Sequence, residues 1–309
     1  MAKWGILGFG RMGLSFAEAL KEVPNSQLIS VGSESGKNFK EFKCNTYDEV
    51  INNESIDSIY ISTLNNTHVS LINKVCKQKK NILCEKPVAM KSTELIEINE
   101  TISKIKNNFY EAIAYYSHPQ TIEVLKLVQN NEIGNIVKIE CSFGFEAKFN
   151  PNSRLFSKEL GGGAIYDLGC YPISFAMLFA QDIRIKKKDI QFSLSGVDDD
   201  AKATMICDDK FECEIHVSLK KNLKNFCNII GSNGSIKINS PWLPGKNSQL
   251  EISNNKHFYI KNVKTNLSVY ANQIKNVSSA FSGNNEKLNL FDINKSLINI
   301  KLIEDWLKD

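Results

Sequence analysis

"GILGFGRMG", residues 5–13, decides how the chain begins to fold. Trp4 to Leu7 reads as a short buried strand, and Met12 to Val23 carries the apolar spacing of a helix that stops at Pro24. Between them runs Gly8-Phe9-Gly10-Arg11-Met12-Gly13, a G-x-G-x-x-G pattern in a strand-to-helix setting. In that setting each glycine has a physical reason. Gly8 permits a tight turn, Gly10 lets backbone approach a pyrophosphate, and Gly13 lets the helix pack closely. The helix N-terminus then offers free N–H groups and a positive dipole end to phosphates. The plainer reading is a tight turn that binds nothing.

Working outward, the first third alternates short apolar strands with helical patterns. Gln27–Val31, Ser58–Ser62, Asn81–Cys84 and Phe109–Tyr116 read as strands. Tyr47–Ile51, His68–Lys79 and a segment capped by Ser92 read as helices. That rhythm predicts a parallel sheet covered by helices. After Pro119 it changes. A helix over Thr121–Asn130 leads to a long strand over residues 135–149 and an irregular loop to Leu160. Gly161-Gly162-Gly163 then turns into an apolar helix. Closely spaced strand patterns follow at 190–195, 201–207, 211–219, 224–230 and 235–239, with "GSNG" (231–234) as a hairpin turn, so the second part carries an antiparallel sheet. Residues 286–307 close the chain as an amphipathic helix. The expected division is one boundary near Pro119, giving domains 1–118 and 119–309.

Composition limits what such a chain does. Its 309 residues, 42% hydrophobic and 23% charged, suffice for two cores. A net charge of +4 with no basic block among aromatics gives no support to a nucleic-acid partner. No apolar run is long enough for a membrane span and no leader pattern opens the chain, so neither a membrane partner nor export is expected. Eight cysteines lie scattered, several inside apolar runs and none in a C-x-x-C pair. They read as buried free thiols, and with four histidines lacking ligand spacing they predict no metal. A reducing cytoplasm fits this usage.

The end of the second strand bears on which dinucleotide would bind. An acid there accepts ribose hydroxyls, and a basic residue accommodates a 2′-phosphate. The stretch is "VGSESGK", residues 31–37. Glu34 suits a ribose, whereas Ser33 with Lys37 suits a phosphate. The lean is to NAD over NADP.

Three further stretches, "ISTLNNTHV" (61–69), "CEKPVA" (84–89) and "GGGAIYDLGCYPI" (161–173), stand in order behind GFGRMG. Together they resemble the Gfo/Idh/MocA family of NAD(P)-dependent oxidoreductases, in its glucose–fructose oxidoreductase and dihydrodiol dehydrogenase-like branch. The resemblance covers nearly the whole chain and extends to "IIGSNGSIKINSPW" (229–242). It implies an α/β protein with an N-terminal Rossmann domain and a C-terminal α+β domain. The latter's large, open, mostly antiparallel sheet would serve a homodimer or homotetramer. Lys86 of Glu85-Lys86-Pro87 corresponds to the family's active-site lysine, in a turn whose Lys–Pro bond is often cis. Asp167 matches the aspartate of the family's D-x-x-x-H signature, and Tyr171 stands where many members have the histidine. Thr63-Leu64-Asn65 replaces the usual Thr-Pro-Asn, and Tyr115-Tyr116 replaces a Tyr-Arg pair.

Hydride transfer at an alcohol carbon requires a group to exchange the hydroxyl proton. Free tyrosine and lysine titrate at about 10 and 10.4, too high for a base near neutrality. A lysine ammonium beside a phenol favours the phenolate. The expected catalytic set is therefore Tyr171 as acid/base, Lys86 polarising the substrate oxygen, and Asp167 orienting a hydroxyl or Lys86. Lys86 as the proton acceptor is the competing assignment. The cofactor groove is expected to involve Gly8, Phe9, Gly10, Arg11, Met12, Gly13, Ser33, Glu34, Thr63, Asn65, His68, Glu85 and Lys86. Asn65 and His68 read equally as loop hydrogen-bonders. Substrate contacts are expected from Lys86, Tyr115, Arg154, Asp167 and Tyr171, with a surface salt bridge the alternative for Arg154 and a structural role for His118. The expected reaction is oxidation or reduction at a secondary alcohol or carbonyl of a sugar, cyclitol or related polyol. Two rivals share the scaffold: a non-catalytic NAD(P)-sensing regulator, and a glycosidase that uses tightly bound NAD for transient oxidation.

Overall fold

The computed structural model describes residues 1–34, 42–105, 108–284 and 288–308. It divides into one unit of Met1–Ser117 with Leu267–Leu297, and a second of His118–Asn266 with Ile298–Asp309. The chain thus changes unit three times, where the sequence pattern suggested a single boundary. Residues 267–297 carry no strand-helix rhythm that would assign them to the first unit.

In the first unit the elements run β1 (Ala2–Leu7), α1 (Arg11–Leu20), β2 (Ser26–Gly32), β3 (Cys44–Asn45), α2 (Tyr47–Asn52) and β4 (Ser58–Ile61). They continue with α3 (His68–Lys77), β5 (Asn81–Cys84), α4 (Ser92–Ile105) and β6 (Phe109–Glu111). Every strand pair is parallel, in the order β3-β2-β1-β4-β5-β6. This is the doubly wound order whose direction reverses between β1 and β4, and ligands of such sheets sit outside the strand ends at that reversal. All four residues of β4 are buried, as a central strand with both faces covered requires. Leu7 pairs with Gly32 on one side and Ile61 on the other, bringing the ends of β1, β2 and β4 level.

Local signals explain the helix starts. Thr46 caps α2 through the Glu49 N–H while the Glu49 carboxylate returns to the Thr46 N–H. At α4, Ser92 is the first helical residue, and the Glu94 carboxylate accepts the N–H groups of Met90 and Lys91. The strand expected over Phe109–Tyr116 stops at Glu111, and Ala114–Ser117 is a buried 3₁₀ turn. Its ladder ends there because the Ala112 N–H makes the last bond to β5, at Cys84 O.

The second unit opens with α5 (Pro119–Gln129), where Pro119 occupies the first turn and His118 Nδ1 accepts the Gln120 N–H at 3.1 Å. His118 is therefore a helix cap, in line with the structural role read from sequence. Next come β7 (Ile136–Gly144) and α6 (Cys170–Ala176), the latter preceded by a π-turn over Ile165–Gly169. Strands β8 (Ile183–Phe192), β9 (Asp198–Cys207), β10 (Phe211–Ser218), β11 (Phe226–Gly231), β12 (Gly234–Asn239), β13 (Asn247–Asn254) and β14 (Phe258–Lys264) follow. The eight strands lie in the order β14-β13-β12-β11-β7-β10-β9-β8, antiparallel except for the β7–β10 pair. The turn expected at residues 231–234 does join β11 to β12. One sheet face is buried through residues such as Ile139, Cys141, Met205, Cys213, Ile215 and Cys227. All eight cysteines are free, and burial raises the thiols of Cys141, Cys213 and Cys227, although hydrogen bonding to Cys141 is the larger cause at Cys213.

Two helices complete the chain, α7 (Val269–Phe281) and α8 (Ile293–Leu307). Ala271, Ile274 and Val277 of α7 share a core with Trp4, Phe16 and Leu20. The Phe281 ring lies 5.8 Å from Trp4 and 5.7 Å from Tyr110. Burial of such rings contributes several kcal/mol, at roughly 25 cal/mol per Å² of apolar surface.

Candidate active site

The glycine turn has the form its spacing predicts. Gly8 has φ +90°, and a Cβ there would meet Ser62 O at 2.6 Å. At Gly13 a Cβ would meet Gly8 O at 2.5 Å, whereas at Gly10 nothing among the described residues lies within 4 Å. Two glycines are thus required by the protein's own packing, and Gly10 leaves open space. Helix α1 begins there with no side-chain cap, its first bond being Leu14 N–H to Gly10 O. A helix start without a side-chain cap, beside a glycine with room around it, fits a dinucleotide pyrophosphate. Phe9 is buried edge-on to Phe42 at 5.0 Å, so its backbone alone remains for a ligand. Arg11 is exposed and Met12 half-buried.

At the end of β2, Ser33 is half-buried and its N–H bonds Asn45 O, while Glu34 is exposed. The Tyr47 hydroxyl titrates above its ordinary range, first through burial and then through the Glu34 charge. Lys37, the basic residue considered for a 2′-phosphate, lies outside the described residues.

Lys86 sits on the turn after β5, with a cis peptide bond to Pro87. Two buried carboxyls flank it. Glu85 accepts the Tyr60 hydroxyl at 2.5 Å and the Lys86 N–H at 3.3 Å. Glu111, at the end of β6, accepts the Val88 N–H at 3.3 Å and the Ser296 hydroxyl. From the other side His68 Nδ1 lies 2.9 Å from Pro87 O, and Nε2 lies 3.3 Å from Thr63 O. The shorter contact takes the single N–H of a neutral ring, and burial lowers the imidazole to about 4. His68, at the start of α3, therefore ties the turn after β5 to the segment that follows β4 through its bond to Pro87 O. With 0% exposure it has no surface for a cofactor, which favours the loop hydrogen-bonding reading and corrects its place in the groove. The Thr63 hydroxyl is bonded to that of Thr67 at 2.6 Å, and Asn65 lies in the short 3₁₀ turn that leads into α3. Tyr115 is also corrected as a substrate contact. It is 0% exposed and packed edge-on against Tyr116, a core side chain.

In the second unit, Arg154 Nη1 and Asp167 Oδ1 are 3.0 Å apart, with Asp167 buried and Arg154 partly exposed. Of the two readings of Arg154, the salt bridge has its partner in Asp167. Asp167 belongs to the π-turn, a feature frequent at functional sites because its wider turn displaces side chains from the helical rows. Tyr171 is half-buried, with Phe143 at 5.4 Å and Trp242 at 6.3 Å between ring centroids. The turn's start is fixed by Asp198, whose carboxylate accepts the N–H groups of Ile165 (2.6 Å) and Ala164. Gly163, at φ +114°, has that carboxylate where a Cβ would stand. A hollow of about 990 Å³ lies elsewhere in this unit, on the open sheet face, lined by Glu140, Lys202, Thr204, Glu214, His216 and Phe226 among others. None of Arg154, Asp167 or Tyr171 lines it, so its size does not mark the chemistry.

Tyr60, Glu111, Asp198 and Tyr270, which no motif marks, also stand beside the proposed site residues or fix the turn that carries Asp167. Tyr270, on α7, titrates above its ordinary range through burial and then Glu85, with Lys86 and Arg11 opposing. An acid inside the apolar run "FYEAIAYY" and another opening a strand were the available signals for two of them.

A parallel sheet of this order with an open glycine turn, joined in one chain to a mostly antiparallel sheet, defines a two-domain dinucleotide-binding protein. Residues 2–112 match the oxidoreductase family with an NAD-binding Rossmann fold, and residues 121–237 the GFO/IDH/MocA C-terminal domain. The chain belongs to the Gfo/Idh/MocA family of NAD(P)-dependent oxidoreductases. The trans-1,2-dihydrobenzene-1,2-diol dehydrogenase of Xenopus tropicalis is 29% identical over 255 residues, 78% of this chain and 77% of its own. A 3-ketoreductase from Actinomadura kijaniata, in complex with NADP and TDP-benzene, gives a TM-score of 0.87 at 18% identity, covering 98% of this chain and 96% of its own. An aldose-aldose oxidoreductase from Caulobacter crescentus complexed with glycerol gives 0.87 at 16%, over 98% and 95%. These two structures show likeness of fold. The regulator and glycosidase readings gain no support from these relatives.

Proposed function

We propose that the chain oxidises or reduces a secondary alcohol or carbonyl carbon of a sugar, cyclitol or related polyol. The match to a cyclic-diol dehydrogenase across 78% of the chain carries this reading. NAD(P), when bound, supplies or accepts the hydride. The protein's own part divides by residue. The N–H groups at the start of α1 hold the pyrophosphate, and Gly10 gives it room. Lys86 polarises the substrate oxygen, Tyr171 exchanges the hydroxyl proton, and Asp167 with Arg154 orients a neighbouring hydroxyl.

The charge of Glu34 at the end of β2 favours ribose hydroxyls over a 2′-phosphate, and so NAD, although the solved 3-ketoreductase carries NADP. The open face of the eight-stranded sheet pairs copies of the chain as a dimer or tetramer, and the eight free thiols suit a reducing cytoplasm. The deciding experiment is a panel of sugars, cyclitols and diols assayed with NAD and NADP side by side. Cofactor reduction or oxidation with at least one member supports the reading. Binding of cofactor without turnover across the panel overturns it.

A further inference from the structure

We propose that Glu111 is a positioning residue for Lys86: its buried carboxyl holds the Lys86 turn and, by taking or releasing one proton, sets the charge that Lys86 faces. This rests on the reading of Lys86 as an active-site residue.

The placement carries the argument. Phe109 and Glu111 are the two buried residues of β6, so Glu111 stands where strand alternation calls for an apolar side chain. It is 4% exposed. Among the described residues no cation lies within ion-pair distance of it. A carboxylate so placed is costly unless it is hydrogen-bonded or protonated. Its partners are the Val88 N–H at 3.3 Å and the Ser296 hydroxyl. Val88 lies two residues beyond Lys86, and on the near side Glu85 accepts the Lys86 N–H itself. The turn is therefore held at both ends by carboxyls, and its lysine is carried between them.

The two carboxyls are not alike. Glu85, a like charge to Glu111, takes a 2.5 Å bond from the Tyr60 hydroxyl. Glu111 faces that anion as a like charge and Lys86 as an opposite one, with the Cys84 thiol of β5 also in range. From α8 it meets the uncharged Ser296 hydroxyl. Burial outweighs the hydrogen bonds and pushes Glu111 up to about 7. Both protonation states are then populated near neutrality, and each presents Lys86 with a different field. A merely structural glutamate would need only its acceptor oxygen, which glutamine also has. The ionisable proton distinguishes the two roles.

The test needs no substrate. Lysines of the full chain are reductively methylated with a ¹³C label, and the Lys86 signal is assigned by its absence in Lys86→Arg. The expected wild-type signal shows a secondary inflection near pH 7, which disappears in Glu111→Gln while thermal unfolding stays cooperative. Identical titration of Lys86 in both proteins overturns the proposal. Turnover of Lys86→Met, measured in parallel with whichever alcohol the panel yields, tests the underlying reading. Loss of turnover sustains that reading whatever the NMR result, and retained turnover overturns both.

Discussion

At the scale of single residues, the proposed chemistry separates into replaceable parts. Tyr171→Phe keeps the ring that packs on Phe143 and Trp242 and removes only the hydroxyl. We expect kcat to fall by about 10²–10⁴-fold, the usual weight of a positioned acid/base, with thermal stability unchanged. Lys86→Met should abolish turnover with little loss of cofactor affinity, read by turnover assay and cofactor fluorescence. Near-normal activity in either variant removes that residue from the mechanism. Lys86, Asp167 and Tyr171, the proposed catalytic set, stand out in the sequence because a family pattern marks them. Glu111, Tyr60 and Asp198 do not, because their importance comes from burial and partners on other elements, which no local spacing encodes. Tyr115 and His68 show the converse, since a suggestive residue type in a suggestive position turned out to be 0% exposed.

At the scale of elements, two turns bear the strongest backbone demands. Gly10→Ala should leave folding intact, because none of the described residues lies within 4 Å of its added methyl, while weakening cofactor binding where the pyrophosphate would approach. Gly13→Ala should instead destabilise the protein, because its Cβ would meet Gly8 O at 2.5 Å. Comparing melting temperature and cofactor affinity across the pair separates packing from ligand space. Equal melting losses in the two variants would remove the assignment of Gly10 to a ligand. In the second turn, Gly163→Ala should cost about 1–3 kcal/mol, since a left-handed φ and the Asp198 carboxylate both oppose a side chain. Denaturant unfolding measures it. The β-α alternation of the first sheet was legible because its central strands are continuous apolar runs. Strand β14 was not, since it buries only Val263 and so shows almost no alternation.

At the scale of the whole molecule, the buried titratable groups oppose one another across mildly acidic pH. Glu111 rises from an ordinary 4.5 to about 7, so the folded protein keeps a proton that the unfolded chain has lost. Stability from this group is therefore greatest below pH 4.5 and falls as pH rises towards 7, by about 3 kcal/mol. His68 and His118 drop from 6.5 to about 4, and their contribution falls as pH drops through that window. Glu111→Gln should gain stability over wild type as pH goes from 4.5 to 7 and keep a constant difference above it. Parallel curves for the two proteins across that range would contradict a buried, proton-retaining Glu111. The two-part architecture was legible in the change of rhythm at Pro119, but the return of residues 267–297 to the first unit was not. That return bears on the order in which the chain is made. Trp4 and Tyr110 leave the ribosome long before Phe281, the ring that closes over both, so the first hydrophobic core to be synthesised is among the last to be sealed. A gene fragment ending at residue 118 would lack that ring and the α7 residues that share its core.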